Sequence, residues 1–198
     1  MTAVSIVKRG GVIAYPTETY YGLGADIRNE QALEKLYAIK GRSFDKPISI
    51  IIGTHEDLPR FAETVTPAAE ILVKQFWPGG VTLLFDASPV IPGRLTAGTG
   101  KIGIRLSSDP VATILARNLS GAITATSANR SGAGECASAR EVLESLGDTV
   151  DAMLDWGRTP GGAGSTIVDT TTDPPVIIRE GVVPSAEIYR WIGTVQES

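Results

Sequence analysis

Val12-Ile13-Ala14-Tyr15-Pro16-Thr17-Glu18-Thr19-Tyr20-Tyr21-Gly22-Leu23-Gly24 is the stretch that decides how this chain folds. Four apolar residues, two of them β-branched, read as a buried strand. Pro16, which has no amide hydrogen to give to a ladder, ends it. Hydroxyls, phenols and a carboxylate follow at once. A strand end that gives way to a polar turn is where α/β proteins place ligand-contacting groups. Spacing alone leaves two readings of residues 16–22 open. They form either a turn capped by its own hydroxyls or a pocket wall that hydrogen-bonds a small polar ligand.

Working outward, residues 2–9 read as a short helix stopped by Gly10-Gly11. Asn29 is placed to cap a helix through Lys40, with Ala32, Leu33, Leu36, Tyr37 and Ile39 at helical spacing and Gly41 to close it. Residues 47–52 are β-rich, and helices are expected over 56–62 and 67–77. Strands over 81–85 and 102–106 flank a Pro/Gly/Thr-rich loop at 88–100. Asp109-Pro110 has the chemistry of a helix start, with the helix running to Leu119. Residues 122–126 form a strand that delivers Ser127 and Asn129 at its end. A helix over 138–146, a short strand over 152–155, a glycine-rich loop over 157–164, strands over 166–168 and 176–179 and a helix over 184–192 complete the pattern. Several strands follow one another directly, so the expected class is α/β with a mixed rather than purely parallel sheet.

Composition bounds the function. The 198 residues are one domain or a tight pair, with no internal repeat, enough to bury roughly 70% of the unfolded surface. A hydrophobic content of 42% and a charged content of 20% are ordinary for a soluble globular protein. A net charge of -4 argues against a coat for nucleic acid, while leaving room for a local basic pocket. The lone Cys136 excludes an internal disulfide or Cys-rich zinc site, and the lone His55 excludes a multi-His metal site. The start lacks the basic and apolar regions of a signal peptide. No stretch approaches the ~18 consecutive apolar residues of a membrane span, so the cytoplasm is the expected location.

Two glycine-rich segments fail as nucleotide motifs. Gly98-Thr99-Gly100-Lys101 ends like a phosphate-binding loop, but Leu95 stands at its first glycine and Ile102 at its Ser/Thr. Gly22-Leu23-Gly24 lacks the third glycine of a dinucleotide fingerprint, because Ile27 stands there. Lys40-Gly41-Arg42, with Lys46 after it, sets three cations at a helix C-terminus. They either complement the helix dipole or converge on one phosphate chain, lysine as a point charge and arginine as a fork. Ser127-Ala128-Asn129 is an i, i+2 pair whose side chains share a face on extended backbone, although an Asx-capped turn explains it as well. His55 reads as a capping or surface residue, Cys136 as no nucleophile, and Trp77, Trp156 and Trp191 as packing residues.

These motifs, in this order, resemble the YrdC-like family of threonylcarbamoyl-AMP synthases over nearly the whole chain. Residues 16–24, the Lys-x-Arg of Lys40 and Arg42 and the Ser-x-Asn of Ser127 and Asn129 carry the resemblance. Residues 77–79, 102–105, 165–169 and 178–181 give weaker support. The resemblance implies one domain over 1–198, with a twisted mixed sheet, flanking helices and a large concave cleft. It implies a nucleotidyltransferase joining L-threonine, bicarbonate and ATP into threonylcarbamoyl-AMP and pyrophosphate, with magnesium, for threonylcarbamoyladenosine in tRNA. By resemblance Lys40, Arg42, Ser127 and Asn129 form a catalytic tetrad. Thr19, Arg105, Ala125 and Ser165 would hold threonine, and Arg42, Lys46, Lys101, Ser127 and Arg179 would contact ATP. Transient contact with the tRNA threonylcarbamoyltransferase complex and weak tRNA binding are the implied partners, with no membrane and no resident metal. An RNA-binding or ribosome-maturation paralogue is the other class of reading, and a relative of the carbamoyl-adenylate domain in hydrogenase maturation is a closer one. The chain departs from the pattern at Ile51, where many relatives carry a threonine-contacting histidine, and at Glu135, where a small hydroxyl residue is common.

Overall fold

Ile13–Tyr15, Ser49–Ile52 and Ala122–Ser127 are near-continuous apolar or small-residue runs, and successive side chains in each go to different cores. Ala14, Ile50, Ile52 and Ala122 join one cluster, whereas Ile13, Tyr15, Ile51 and Ile123 join the other. The two-residue period of a strand sends alternate residues to opposite faces, so a run buried on both faces need not alternate in polarity. The computed structural model describes residues 2–193. Among them nine strands form one sheet.

In chain order these are β1 (Ile13–Tyr15), β2 (Gly22–Gly24), β3 (Ser49–Ile52), β4 (Val81–Asp86), β5 (Lys101–Arg105), β6 (Ala122–Ser127), β7 (Ala152–Met153), β8 (Thr166–Asp169) and β9 (Val176–Arg179). Their spatial order is β7-β1-β2-β6-β3-β5-β4-β8-β9. β1 with β7, β3 with β5 and β4 with β8 are parallel, and the other neighbours are antiparallel. The expected mixed sheet is therefore present.

The helices are α1 (Ala3–Lys8), α2 (Glu30–Lys40), α3 (Leu58–Phe61), α4 (Pro67–Phe76), α5 (Gly93–Thr96), α6 (Pro110–Asn118), α7 (Ala139–Leu146) and α8 (Ser185–Ile192). Asn29 caps α2 through its side-chain oxygen, which accepts from the Ala32 amide, and Gly41 ends it at φ 56°. Only glycine adopts that left-handed turn without strain. One sheet face carries the larger core, in which α2, α4 and α7 bury Leu33, Leu36, Leu72 and Val142. The other face is covered only in part. Val7 of α1 and Ala112, Leu115 and Ala116 of α6 pack on Ile13, Ile51 and Ile123.

Four expectations change. Gly22–Gly24, assigned to no strand above, is a strand antiparallel to β1. Glycine is rare in strands because it has no side chain to pack, but here that vacancy is filled. A Cβ on Gly24 would lie 2.5 Å from Ile123 Cδ1 and 2.9 Å from the Tyr15 ring. The loop at 88–100 contains the short helix α5. The helix expected over 56–62 opens as a 3-10 turn at His55–Asp57. Trp77 is a packing residue, its indole N–H donating to the Val81 carbonyl at 2.7 Å, but Trp156 is 70% exposed and Trp191 47%.

Candidate functional site

The part of the second sheet face that α1 and α6 leave uncovered is the floor of a cleft of about 410 Å³. Register shows why its residues share that face. Ser49 pairs with Ala125, Leu84 with Gly103, Thr82 with Ile167, and Ile167 with Arg179. Paired residues point the same way, so Ser49, Thr82, Lys101, Gly103, Arg105, Ala125, Ser127 and Arg179 converge, and all line the cleft. Gly103 keeps the floor open, since a Cβ there would run into the Ser49 hydroxyl.

One end is built by the β1–β2 loop and the end of β5. Thr17 Oγ1 donates to the Tyr20 carbonyl at 2.7 Å and lies 3.1 Å from Thr19 Oγ1. The Thr19 carbonyl accepts from the Gly161 amide at 2.9 Å. The Tyr20 and Tyr21 hydroxyls donate to the Gly162 and Gly157 carbonyls at 2.8 and 2.7 Å, which ties the loop at 157–164 across this end. Arg105 Nη1 lies 2.5 Å from Glu18 Oε1, with the two side chains 9% and 15% exposed. The Ser107 hydroxyl donates to the other Glu18 oxygen. Burial holds the Tyr15 phenol well above the ordinary tyrosine value, and it donates to the Thr124 carbonyl at 2.8 Å.

The other end is cationic. Arg42 Nη2 donates to the Pro47 carbonyl at 2.8 Å and Arg179 Nη2 to the Ser165 carbonyl at 2.7 Å. Lys101 Nζ pairs with Asp169 Oδ2 at 2.7 Å. The Ser165 hydroxyl accepts from Thr82 Oγ1 at 2.8 Å. Glu135 also lines the cleft, near the mouth formed by Gly164 and Arg179.

Lys40 behaves differently from its neighbours. It is 2% exposed and does not line the cleft. Its ammonium donates to the Ser127 carbonyl at 2.5 Å, the Asn129 carbonyl at 2.9 Å and Asn129 Oδ1 at 3.3 Å. Ser127 Oγ donates to Asn129 Oδ1 at 2.5 Å, and Asn129 Nδ2 to the Ala133 carbonyl at 2.6 Å. Desolvation first, and the Arg42 charge second, lower the Lys40 pKa from 10.5 to about 8. Hydrogen bonds thus join Lys40, Ser127 and Asn129, with Lys40 and Asn129 behind the cleft wall, while Arg42 and Ser127 line it and Arg42 bonds to its own turn. Ser127 and Asn129 meet through a bend after β6, where the Asn129 amide bonds the Ser127 carbonyl at 3.0 Å, not through extended pleating.

Of the other expected residues, Thr19, Lys101, Arg105, Ala125, Ser165 and Arg179 line the cleft, whereas Lys46 is exposed outside it. Ile51 shares the cleft's face and pairs in register with Arg105. Its side chain is nonetheless fully buried against the α6 cluster and does not line the cleft. Cys136 is buried and free, its thiol pushed up by burial, and so is a poor nucleophile. The sequence reading assigned no role to Glu18 or Ser107. The one available signal was a carboxylate set between two hydroxyl residues directly after a buried strand.

Fold and cleft together define an α/β protein with an uncovered sheet face whose cleft is lined by hydroxyls and cations. The profile of the Sua5/YciO/YrdC family, described as telomere recombination, matches residues 5–181. The chain is 37% identical over 194 residues to the threonylcarbamoyl-AMP synthase of Pyrococcus abyssi, covering 98% of this chain and 57% of that protein. Its 34% identity to the Bacillus subtilis strain 168 enzyme of the same name covers 98% and 56%. The crystal structure of P. abyssi Sua5 complexed with L-threonine matches with a TM-score of 0.93 at 37% identity, over 96% of this chain and 56% of that one. E. coli YciO matches with a TM-score of 0.85 at 30% identity, over 94% and 90%. The chain belongs to the Sua5/YciO/YrdC family. It spans a little over half the length of the two curated relatives named here.

Proposed function

We propose that this chain is an L-threonylcarbamoyladenylate synthase, a nucleotidyltransferase that combines L-threonine, bicarbonate and ATP into threonylcarbamoyl-AMP and pyrophosphate. One observation carries the reading. A single sheet face brings a buried hydroxyl–guanidinium end and an open cationic end into one cleft, in a chain 37% identical to a protein solved with L-threonine. Threonine goes to Thr19, Arg105 and Ala125 at the first end and to Ser165, which the cationic end contributes. ATP goes to Arg42, Lys101, Ser127 and Arg179.

The amine of threonine and bicarbonate give a carbamate with loss of water. A carbamate oxygen then attacks the α-phosphorus, and pyrophosphate leaves. In-line positioning and charge neutralisation lower such a barrier without a protein base. Lys40 serves by holding the Ser127–Asn129 bend against α2 and by adding positive charge behind the wall. Among the described residues no three His, Cys, Asp or Glu side chains cluster as a metal would need. Magnesium would enter with ATP as the counter-ion of the triphosphate, and Glu135 is a carboxylate on the cleft wall that could face it.

In this reading the chain is one domain over 1–198 that works in the cytoplasm and supplies a tRNA threonylcarbamoyltransferase complex. Among the described residues no helix is long and apolar enough to cross a membrane. The test is pyrophosphate release from ATP. Release that stops when either threonine or bicarbonate is omitted, and falls with serine in place of threonine, supports the reading. Equal release with carbamoyl phosphate alone overturns it in favour of the hydrogenase-type chemistry. Salt-dependent tRNA binding without turnover overturns it in favour of an RNA-binding role.

A further inference from the structure

The cations on the cleft wall are of two kinds. Arg105 and Lys101, at opposite ends of β5, are each matched by a carboxylate, Glu18 at 2.5 Å and Asp169 at 2.7 Å. Arg42 and Arg179 instead donate to neutral oxygens, the carbonyls of Pro47 and Ser165. The first kind presents little net charge to a ligand. In the second, Arg42 has no carboxylate paired to it among the described residues, and Arg179 has Glu135 nearby on the wall but forms no ion pair with it.

Glu18 is firmly committed to its partner. It does not line the cleft, and its second oxygen accepts from Ser107. Ser107 is 1% exposed and accepts in turn from the Asp109 amide at 3.1 Å, at the start of α6. Burying a carboxylate is costly unless a cation and hydrogen bonds offset it, and both are present. With Glu18 in place the Arg105 side chain is 9% exposed, the least exposed arginine on the wall, so losing the Glu18 charge would leave its guanidinium poorly hydrated and uncompensated. Such a charge attracts a polyphosphate far more strongly than an amino acid, whose carboxylate is offset by its own ammonium.

We propose that Glu18 is a specificity-determining positioning residue: it orients Arg105 and cancels its net charge. That end of the cleft then accepts a zwitterionic amino acid through the remaining guanidinium donors and rejects polyphosphate, which is left to the far end, where Arg42 and Arg179 add to the partly exposed, Asp169-paired Lys101. The inference rests on the proposed threonine-and-ATP reading of the cleft, yet it can fail separately. A group that merely braced the fold would change stability without changing which anion binds where.

The experiment is calorimetric titration with inorganic tripolyphosphate and, separately, with L-threonine. The wild-type chain takes up one tripolyphosphate that threonine does not displace. E18Q keeps the shape and an acceptor oxygen but not the charge. It is expected to bind a second tripolyphosphate that threonine displaces, with threonine affinity reduced about tenfold. In turnover, the KM for threonine rises by a similar factor while kcat at saturation changes less than about twofold. The double variant E18Q/R105Q loses the second ion. Should E18Q fail to fold, E18A leaves Arg105 equally uncompensated and carries the same expectation. One tripolyphosphate per chain in the folded variant, with threonine affinity unchanged, overturns the proposal. A second ion in a protein whose wild type does not bind threonine overturns the substrate reading and leaves the charge sorting standing.

Discussion

At the β1–β2 end of the cleft, Thr17, Thr19, Glu18, Arg105 and Ser107 are linked to one another or to backbone, and Arg105 and Ser107 are nearly closed to water. At the far end, Arg179 sits on the exposed edge strand β9, and Arg42 lies in the turn after α2. The first arrangement is a prebuilt mould with its charge cancelled in advance, suited to a small ligand of fixed shape. The second is an open rim of positive charge, suited to a flexible polyanion. Preorganisation supplies specificity where the ligand carries little net charge, and Coulomb attraction suffices where it carries several.

The largest expected effect falls at the open end. Arg42→Ala removes a cation on the wall, and threonine-dependent pyrophosphate release should drop about 10²- to 10³-fold with the fold intact. Near-normal release by a folded Arg42→Ala variant would break the assignment of that end to ATP.

Lys40 comes next, and pH separates its two roles. Because its folded-state value lies near 8, below the ordinary 10.5, the unfolded chain binds the proton more tightly between those values. Stability therefore rises with pH across that window. Activity runs the other way, since deprotonation removes charge behind Ser127. Turnover should fall with an apparent pKa of about 8, and Lys40→Arg should carry that limb to higher pH. Turnover flat to pH 10 in the wild type denies the ammonium any part in catalysis. The two trends are read by pH–rate profiles and by denaturant midpoints in the same buffers.

Ionic strength tests the contrast itself. Between about 0.05 M and 0.5 M salt the KM for ATP should rise several-fold, because the shrinking Debye length weakens the attraction of the exposed arginines for the polyanion. The KM for threonine should move by less than about twofold, because the Glu18–Arg105 pair is buried and already compensated. Equal salt slopes for the two substrates would erase the distinction between the ends. The smallest effect is expected at Lys46, which lies exposed outside the cleft. Lys46→Ala should change turnover and the ATP KM by no more than about twofold. A tenfold loss would bring the turn after α2 over the nucleotide.

Much of the fold was legible wherever a local rule dominated. The helix at Glu30–Lys40 was readable because Asn29 caps one end and Gly41 turns out of the other. α6 was readable from Asp109-Pro110, with the Asp109 carboxylate accepting from the Val111 amide at 2.8 Å. β2 was not readable, because glycine in a strand makes sense only once Tyr15 and Ile123 are known to lie over it. The candidate site was legible as an inventory of residues and not as an arrangement. Lys40 looked like a cation at an exposed helix end and is a buried brace. Ile51 looked like a position facing ligand and is covered by α6.

The amino-acid sequence by itself determined the strands and helices that rest on caps, prolines and apolar runs, and it supplied the hydroxyls and cations of the cleft. Those are consequences of neighbours within a few residues. Tertiary structure decided which sheet face stays uncovered and which cations are cancelled. Glu18 and Arg105 stand 87 positions apart, as do Lys40 and Ser127. Burial and charge compensation depend on what lies across a few ångströms of space, and chain separation of that size carries no record of it.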